Sequence, residues 1–399
     1  MKVRRTVPPA AAEVTGGALV RAATGIVAGE RYRRRVEREL KHYFGVRYVF
    51  LTSSGKAALT LILGALKGLT GRRQVVIPAY TCFSVPAAVI RAGLDVRICD
   101  IDPTTFDFDY DCLEKTITRQ TLCVVPTHLF GMPSDVTRIA RLCDKDDVFV
   151  VEDAAQAMGG RSHGRLLGTI GDAGFFSLAR GKTITCGSGG IIVTNSDRIG
   201  RAIVREYDRA PDPTVRETLR DFLRLVLMRV FVHPRLFWVP KAMPWLGLGR
   251  TTYDVGFPIT RLSEVNAGAL HGWRDRLART VQARAETAAY FSTALGLPAL
   301  RRAQASPARL PVVMESRAAR DRIYALSEQR GLGLGVMYPT AINAIEELRA
   351  TVGGQNAPAA ERVAERLLTL PTHHLLTDRD KRAVCELIGQ GLPQEVAAA

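Results

Sequence analysis

One carboxylate and one lysine carry the chemistry most readily read from this sequence. Asp153 stands in Glu152-Asp153-Ala154-Ala155-Gln156, directly after the apolar run 148–151. Lys182 follows a second apolar run, 174–178, and lies between Gly181 and Thr183 in a stretch of small and polar residues. A carboxylate at the end of a buried strand calls for a cationic partner, because an unpaired buried charge is costly. A lysine beside a buried strand loses hydration, which lowers its pKa towards that of a usable nucleophile. Each has an ordinary reading as well, Asp153 as a helix cap and Lys182 as a solvated loop residue.

The elements that must position this pair are legible from the alternation along the chain. Strand-like runs at 48–51, 75–78, 96–101, 122–126, 148–151, 174–178 and 190–194 are interleaved with helical patterns at 30–44, 57–66, 85–92, 109–117, 135–143 and 197–207. Such alternation predicts an α/β fold with a mainly parallel sheet covered on both faces. Ligands then sit beyond the carboxyl ends of the strands, where Ser54, Thr81, His128 and Asp153 fall. Ser54-Gly55-Lys56 stands between a strand and a helix, so its backbone N–H groups could hold a phosphate. Taken alone, the same motif is an ordinary serine N-cap. Imine-forming lysine, ring-facing carboxylate and phosphate cup, in this order, point to pyridoxal 5'-phosphate (PLP).

Composition sets the class. The 399 residues are enough for two domains, and the hydrophobic and charged fractions, 47% and 24%, are those of a globular protein. The net charge of +16 favours anionic partners, such as nucleotide-linked substrates or an anionic membrane surface. The arginines are scattered and form no nucleic-acid module, so nucleic acid is not expected as a partner. The seven cysteines show no CxxC spacing and read as buried thiols in a reducing compartment, with no metal site expected. The basic start has no apolar core of a secretory signal, and no run reaches the ~20 apolar residues that span a bilayer. The expected location is cytoplasmic.

The expected organisation is an N-terminal arm (1–29), a large PLP-binding domain (30–207), an apolar Arg/Trp-rich insert (208–255), a long connecting helix (256–294) and a small C-terminal α+β domain (295–399). The latter is expected to hold a strand at 310–314 and helices at 318–330, 358–368 and 378–388. Within the insert, 221–232 is apolar with arginines set into it, and Trp238 and Trp245 follow among prolines. This pattern suits a helix lying in a membrane interface and equally one buried against a partner subunit.

Beyond these readings, the chain resembles the DegT/StrS family of PLP-dependent sugar aminotransferases, which have the fold type I architecture of aspartate aminotransferase. The matching stretches are 54–59, 77–81, 100–103, 128–131, 152–157 and 171–173, then Ser177 with Lys182 five residues on, and near the end 360–361, 370–371 and 376–378. The resemblance implies that Lys182 is the Schiff-base lysine, that Asp153 pairs with the pyridine nitrogen, and that Gln156 lies near the phenolic oxygen. It implies that Ser177 and the backbone N–H groups of Gly55 and Lys56 hold the phosphate. It further implies a homodimer with a shared active site, and amino transfer, usually from glutamate, to a nucleotide-linked keto-sugar in polysaccharide or antibiotic-sugar synthesis. Three positions depart from the family pattern. Lys56 stands where threonine is common, Cys82 where an aromatic residue stacks on the ring, and Ile259 where an asparagine reaches the neighbouring subunit's phosphate. Tyr80 and Phe83 are the nearby candidates to cover the ring instead. Two alternatives accompany this reading: a dehydratase-like PLP enzyme, and a non-catalytic membrane-associated relative. The insert, through 216–246, is expected to dock the protein at the inner face of the membrane.

Overall fold

Seven strands form the central sheet of the computed structural model, which describes residues 5–247, 249, 251–297 and 307–391. In chain order the strands are β1 (Tyr48–Thr52), β2 (Gln74–Pro78), β3 (Asp95–Cys99), β4 (Thr121–Val124), β5 (Phe149–Asp153), the small hairpin β6 (Arg161–Ser162) and β7 (Arg165–Leu166), β8 (Ala173–Ser177) and β9 (Gly190–Thr194). The large sheet runs β1-β9-β8-β5-β4-β2-β3. β9 is antiparallel to both neighbours, and the other pairings are parallel. The mainly parallel α/β architecture expected from the alternation is therefore present. The middle strands are buried along their whole length, as in a sheet covered on both faces. Because β1, β8, β5, β4 and β2 all point the same way, their carboxyl ends lie along one edge.

The helices are α1 (Gly16–Phe44), α2 (Gly55–Thr70), α3 (Ser84–Arg91), α4 (Tyr110–Thr116), α5 (Val136–Asp144), α6 (Asp197–Arg209), α7 (Val215–Phe231), α8 (Trp238–Lys241), α9 (Glu264–Ala269) and α10 (Trp273–Leu295). Of these, α1, α9 and α10 differ from the sequence reading. α1 begins at Gly16, inside the segment expected to be an arm, with the Thr15 hydroxyl accepting from the Ala18 N–H at 3.1 Å. Its early turns escape an apolar-period search because their inner face is Ala18, Ala22, Gly25 and Gly29. These small residues let the α9 backbone approach so closely that a Cβ on Gly25 would lie 2.4 Å from the Glu264 carbonyl oxygen. The connecting helix expected over 256–294 starts only at Glu264 and is broken at Gly272, whose φ of +66° separates α9 from α10. A left-handed residue at that corner favours glycine.

The C-terminal part pairs β10 (Arg309–Val313) with β11 (Leu367–Pro371) in an antiparallel ladder, packed by α11 (Arg317–Arg330), α13 (Pro358–Arg366, after the short α12, Arg349–Val352) and α14 (Asp378–Gly389). Its core joins Phe291, Leu310, Ile323, Leu368, Leu370 and Val384. The helix expected to run to residue 368 stops at Arg366, because Leu367 and Leu368 join the ladder opposite Val313 and Val312. Tertiary pairing here overrides a helical pattern. The leading segment is tied across the molecule. Val7 lies in this C-terminal core, Arg5 pairs with Asp380 at 2.5 Å, and the Pro8 carbonyl meets His373 Nε2 at 2.8 Å. Asp100, just past β3, also caps α13, accepting from the N–H groups of Ala359 and Ala360, both at 2.9 Å. Among the described residues, no helix is long and apolar enough to cross a membrane.

Candidate active site

β5 carries two adjacent carboxylates to the strand-end edge, and alternation sends them to opposite faces. Glu152 is fully buried and saturated. One oxygen accepts from Ile170 N (2.5 Å) and Gly171 N (2.7 Å), the other from Gly168 N (2.8 Å), with His128 Nε2 at 2.9 Å from it. His128 Nδ1 accepts from Ser134 N, so its ring donates from Nε2 to Glu152. Asp153 is buried as well, but Ala155 N, 3.0 Å from Oδ1, is its one side-chain hydrogen-bond donor among the described residues. Its backbone is pinned to the segment just after β4 through Pro126 O and His128 N. Burial pushes the Asp153 carboxyl up, opposed by the hydrogen bond from Ala155 N and by the nearby Lys182.

Lys182 faces this carboxylate from the loop between β8 and β9. Burial lowers its pKa, opposed by Cys82 and Asp153 and reinforced by Arg309 and Arg284. Among the described residues, neither Lys182 nor Asp153 forms an ion pair within 4 Å, with each other or with a third group. The pair thus has what amine chemistry requires, a lysine biased towards its neutral form and a carboxyl group with room for a cation.

The loop owes its shape to glycines and to an arginine that sequence reasoning passed over. Gly181 has φ +74°, and a Cβ there would lie 2.8 Å from that of Ala10. Arg284 of α10 is completely buried and donates to the carbonyls of Lys182 (2.9 Å), Gly181 (3.2 Å) and Ala11 (3.4 Å). Burial, with Arg309 nearby, lowers its pKa to about 10. The signal was available, because Arg284 occupies a core position in the series Trp273, Leu277, Thr280, Thr287 and Phe291 along α10.

The residues expected to hold a phosphate lie together. Ser54 caps α2, its Oγ accepting from Ala57 N at 3.1 Å, so the cap reading holds. The first N–H groups of α2, those of Gly55 and Lys56, have no intrahelical acceptor by virtue of their position. Ser177, at the end of β8, lies so near that a Cβ on Gly55 would stand 3.2 Å from its Cβ. Opposite Ser177 in the ladder, Gly190 gives the Ser54 carbonyl room that a side chain would fill. The Lys56 side chain turns outward to Asp254 (3.1 Å) and lies over the Phe257 ring.

The two aromatic residues named as candidates to cover the ring are both buried. Tyr80 is buried in the core with its hydroxyl on the Met337 carbonyl, and Phe83 is buried at the start of α3. The aromatic residue next to Cys82 is Tyr338, which arrives from the C-terminal part with a positive φ of +52°. Its hydroxyl accepts from Gln156 Nε2 at 3.0 Å, and its ring meets Tyr80 edge-on at 5.6 Å. Burial, with Cys82, Asp153 and Tyr80 close by, holds the phenol well above its usual range. No period or motif marked Tyr338, because a loop residue in the left-handed region follows no repeat. Ile259 packs against the main core, and Arg261 turns to its own chain's Asp212 (3.8 Å) and the Tyr207 ring.

The sequence profile of the DegT/DnrJ/EryC1/StrS aminotransferase family matches residues 18–389. GDP-perosamine synthase of Vibrio cholerae is 31% identical over 169 residues, 42% of this chain and 46% of that protein. The match to it therefore spans less than half of that relative's length. A pleiotropic regulatory protein of Geobacillus stearothermophilus is 24% identical over 375 residues, covering 90% of this chain and 89% of its own. Among solved structures, Helicobacter pylori PseC, an aminotransferase involved in the biosynthesis of pseudoaminic acid, superposes with a TM-score of 0.78 at 15% identity, over 97% of this chain and 99% of that one. At that identity the likeness speaks for the fold.

Proposed function

Since the chain belongs to the DegT/DnrJ/EryC1/StrS aminotransferase family, we propose that it is a PLP-dependent aminotransferase acting on a nucleotide-linked keto-sugar. The observation that carries this reading is the placement of buried Asp153 near half-buried Lys182 on the strand-end edge, each with its pKa shifted towards the neutral form and neither in an ion pair within 4 Å among the described residues. The surroundings fit the cofactor. The α2 start with Ser177 would hold its phosphate, Asp153 would take a protonated ring nitrogen, and Gln156 and Cys82 would line the remaining space. When bound, PLP supplies an electrophilic carbonyl carbon and an electron-accepting ring.

The side chains have separable tasks. Lys182 would hold the cofactor and would serve as general base and acid at the substrate carbon, which its lowered pKa favours. Asp153 holds the ring nitrogen protonated. Arg284 sets the path of the Lys182 backbone and so the reach of its Nζ. Tyr338 orients Gln156. The amino donor in this reading is glutamate, and the positive charge of the chain suits a diphosphate-linked acceptor. Two copies form a homodimer with shared sites in the cytoplasm.

A dehydratase-like enzyme would share the cofactor, but relatives of that kind carry histidine where Lys182 stands. The separating experiment is a half-reaction: protein reconstituted with PLP is mixed with glutamate. The yellow cofactor should convert to its colourless amine form, and nucleotide-linked keto-sugar should restore the colour. Failure with every amino donor, in a protein that holds PLP, would overturn the aminotransferase reading. Failure to hold PLP at all would leave the non-catalytic relative.

A further inference from the structure

The molecule has a second chemically distinctive surface, on the insert. α7 is fastened on one side only. Leu225 is fully buried, and Asp221 accepts from Ser263 Oγ (2.7 Å) and Asn266 Nδ2 (3.0 Å) on α9. On the other side Val215, Leu219 and Leu223 are 77%, 56% and 57% exposed, and Leu227 and Val230 continue the row. Residues four apart share one face of a helix, so this is a continuous apolar stripe rather than scattered exposure. Arg216, Arg220 and Arg229, all exposed, flank it. Leu236, Trp238, Trp245 and Leu246 extend the apolar surface beyond the helix, with Trp245 79% exposed and Arg235 exposed beside them.

From this we propose that the α7 stripe and the tryptophan segment after it lie in the interface of an anionic phospholipid membrane, with the flanking arginines on the lipid phosphates. Charge decides between this occupant and a second copy of the chain. The acidic residues of α7 are not on offer: Glu217 is used in the capping box with Thr214, and Asp221 faces α9. A two-fold contact would set the arginines of one copy against those of the other with no carboxylate of α7 between them. An anionic headgroup layer satisfies the same arginines while the leucines enter the acyl boundary and the tryptophans sit at headgroup level. The surface is independent of the cofactor site, so its test can fail without touching the aminotransferase reading.

The test uses the full-length PLP-loaded protein and vesicles of phosphatidylglycerol and phosphatidylcholine. Co-sedimentation should rise with the phosphatidylglycerol fraction and fall on raising the salt to 1 M. Trp238 and Trp245 fluorescence should shift to the blue on binding, while Trp273, already buried, stays unchanged. Leu219→Glu with Leu223→Glu, both exposed, should keep the fold and cofactor and lose vesicle binding by about a hundredfold. Arg216→Gln with Arg220→Gln should weaken binding to anionic vesicles and flatten its salt dependence. The proposal is overturned if wild-type protein ignores anionic vesicles, or if the leucine variant binds as wild type does. It is equally overturned if that variant changes the mass of the assembly in solution, which would assign the stripe to a second copy.

Discussion

Replacing Glu152 by glutamine should destabilise the fold without a specific catalytic defect, the opposite of what the same change does one residue on. Glu152 receives backbone N–H groups on both oxygens, two on one and one on the other, and the second oxygen also receives His128 Nε2. A glutamine must present its NH2 to one of these sets. Turned one way it opposes Ile170 N and Gly171 N. Turned the other way it opposes Gly168 N and the His128 ring, and the ring cannot switch tautomer because its Nδ1 is occupied by Ser134 N. At least one charge-assisted hydrogen bond is lost and one buried donor is left unmet. At about 1.5–3 kcal/mol for the first and 1–3 kcal/mol for the second, the loss should be about 3 kcal/mol or more. Urea unfolding followed by circular dichroism measures it, with PLP content and half-reaction rate taken on the fraction still folded. Wild-type stability combined with loss of the half-reaction would refute the reasoning, because it would place Glu152 in the chemistry.

Asp153→Asn should stay within about 1 kcal/mol of wild type in stability, since no network depends on its charge, while the half-reaction falls by about a thousandfold. For Lys182, the folded pKa lies below the ordinary lysine value of about 10.4. Between those two values the unfolded chain binds the extra proton, so stability from this group rises with pH across that window. Cofactor-free Lys182→Met should therefore be more stable than cofactor-free wild type near neutrality, with the gap closing as the pH approaches the ordinary lysine value. A gap that is constant or widens with pH would contradict the burial of the ammonium group. Gly55→Val should weaken PLP binding by about tenfold, read by equilibrium titration, because its side chain enters the space against Ser177.

Much of the scaffold was legible because strand and helix periods are local. Each strand of the large sheet falls within a few residues of its apolar run, and Asp153, Ser54 and Ser177 follow from being next to strand ends. What escaped was set by contacts distant in sequence. The first turns of α1 depend on glycine and alanine meeting the α9 backbone, a contact that no apolar stripe announces. Leu367 and Leu368 look helical until the β10 partner is present. Tyr338 reaches Gln156 from 182 positions away, and Arg284 reaches the Lys182 carbonyl from 102 positions away. An arginine in a core position of α10 was the one mark of this second group visible in the sequence, and it reads as a packing anomaly until the loop carbonyls that it serves are seen.

The central claim is that Lys182 bonds the cofactor while Asp153 faces its ring. Borohydride reduction of the PLP-loaded protein, followed by peptide mapping, tests it most directly. The account expects one reduced pyridoxyl adduct, on Lys182, absent from Lys182→Ala, and retained in Asp153→Asn with an altered cofactor absorption spectrum. An adduct on another lysine, or protein that stays colourless after incubation with PLP, would contradict it.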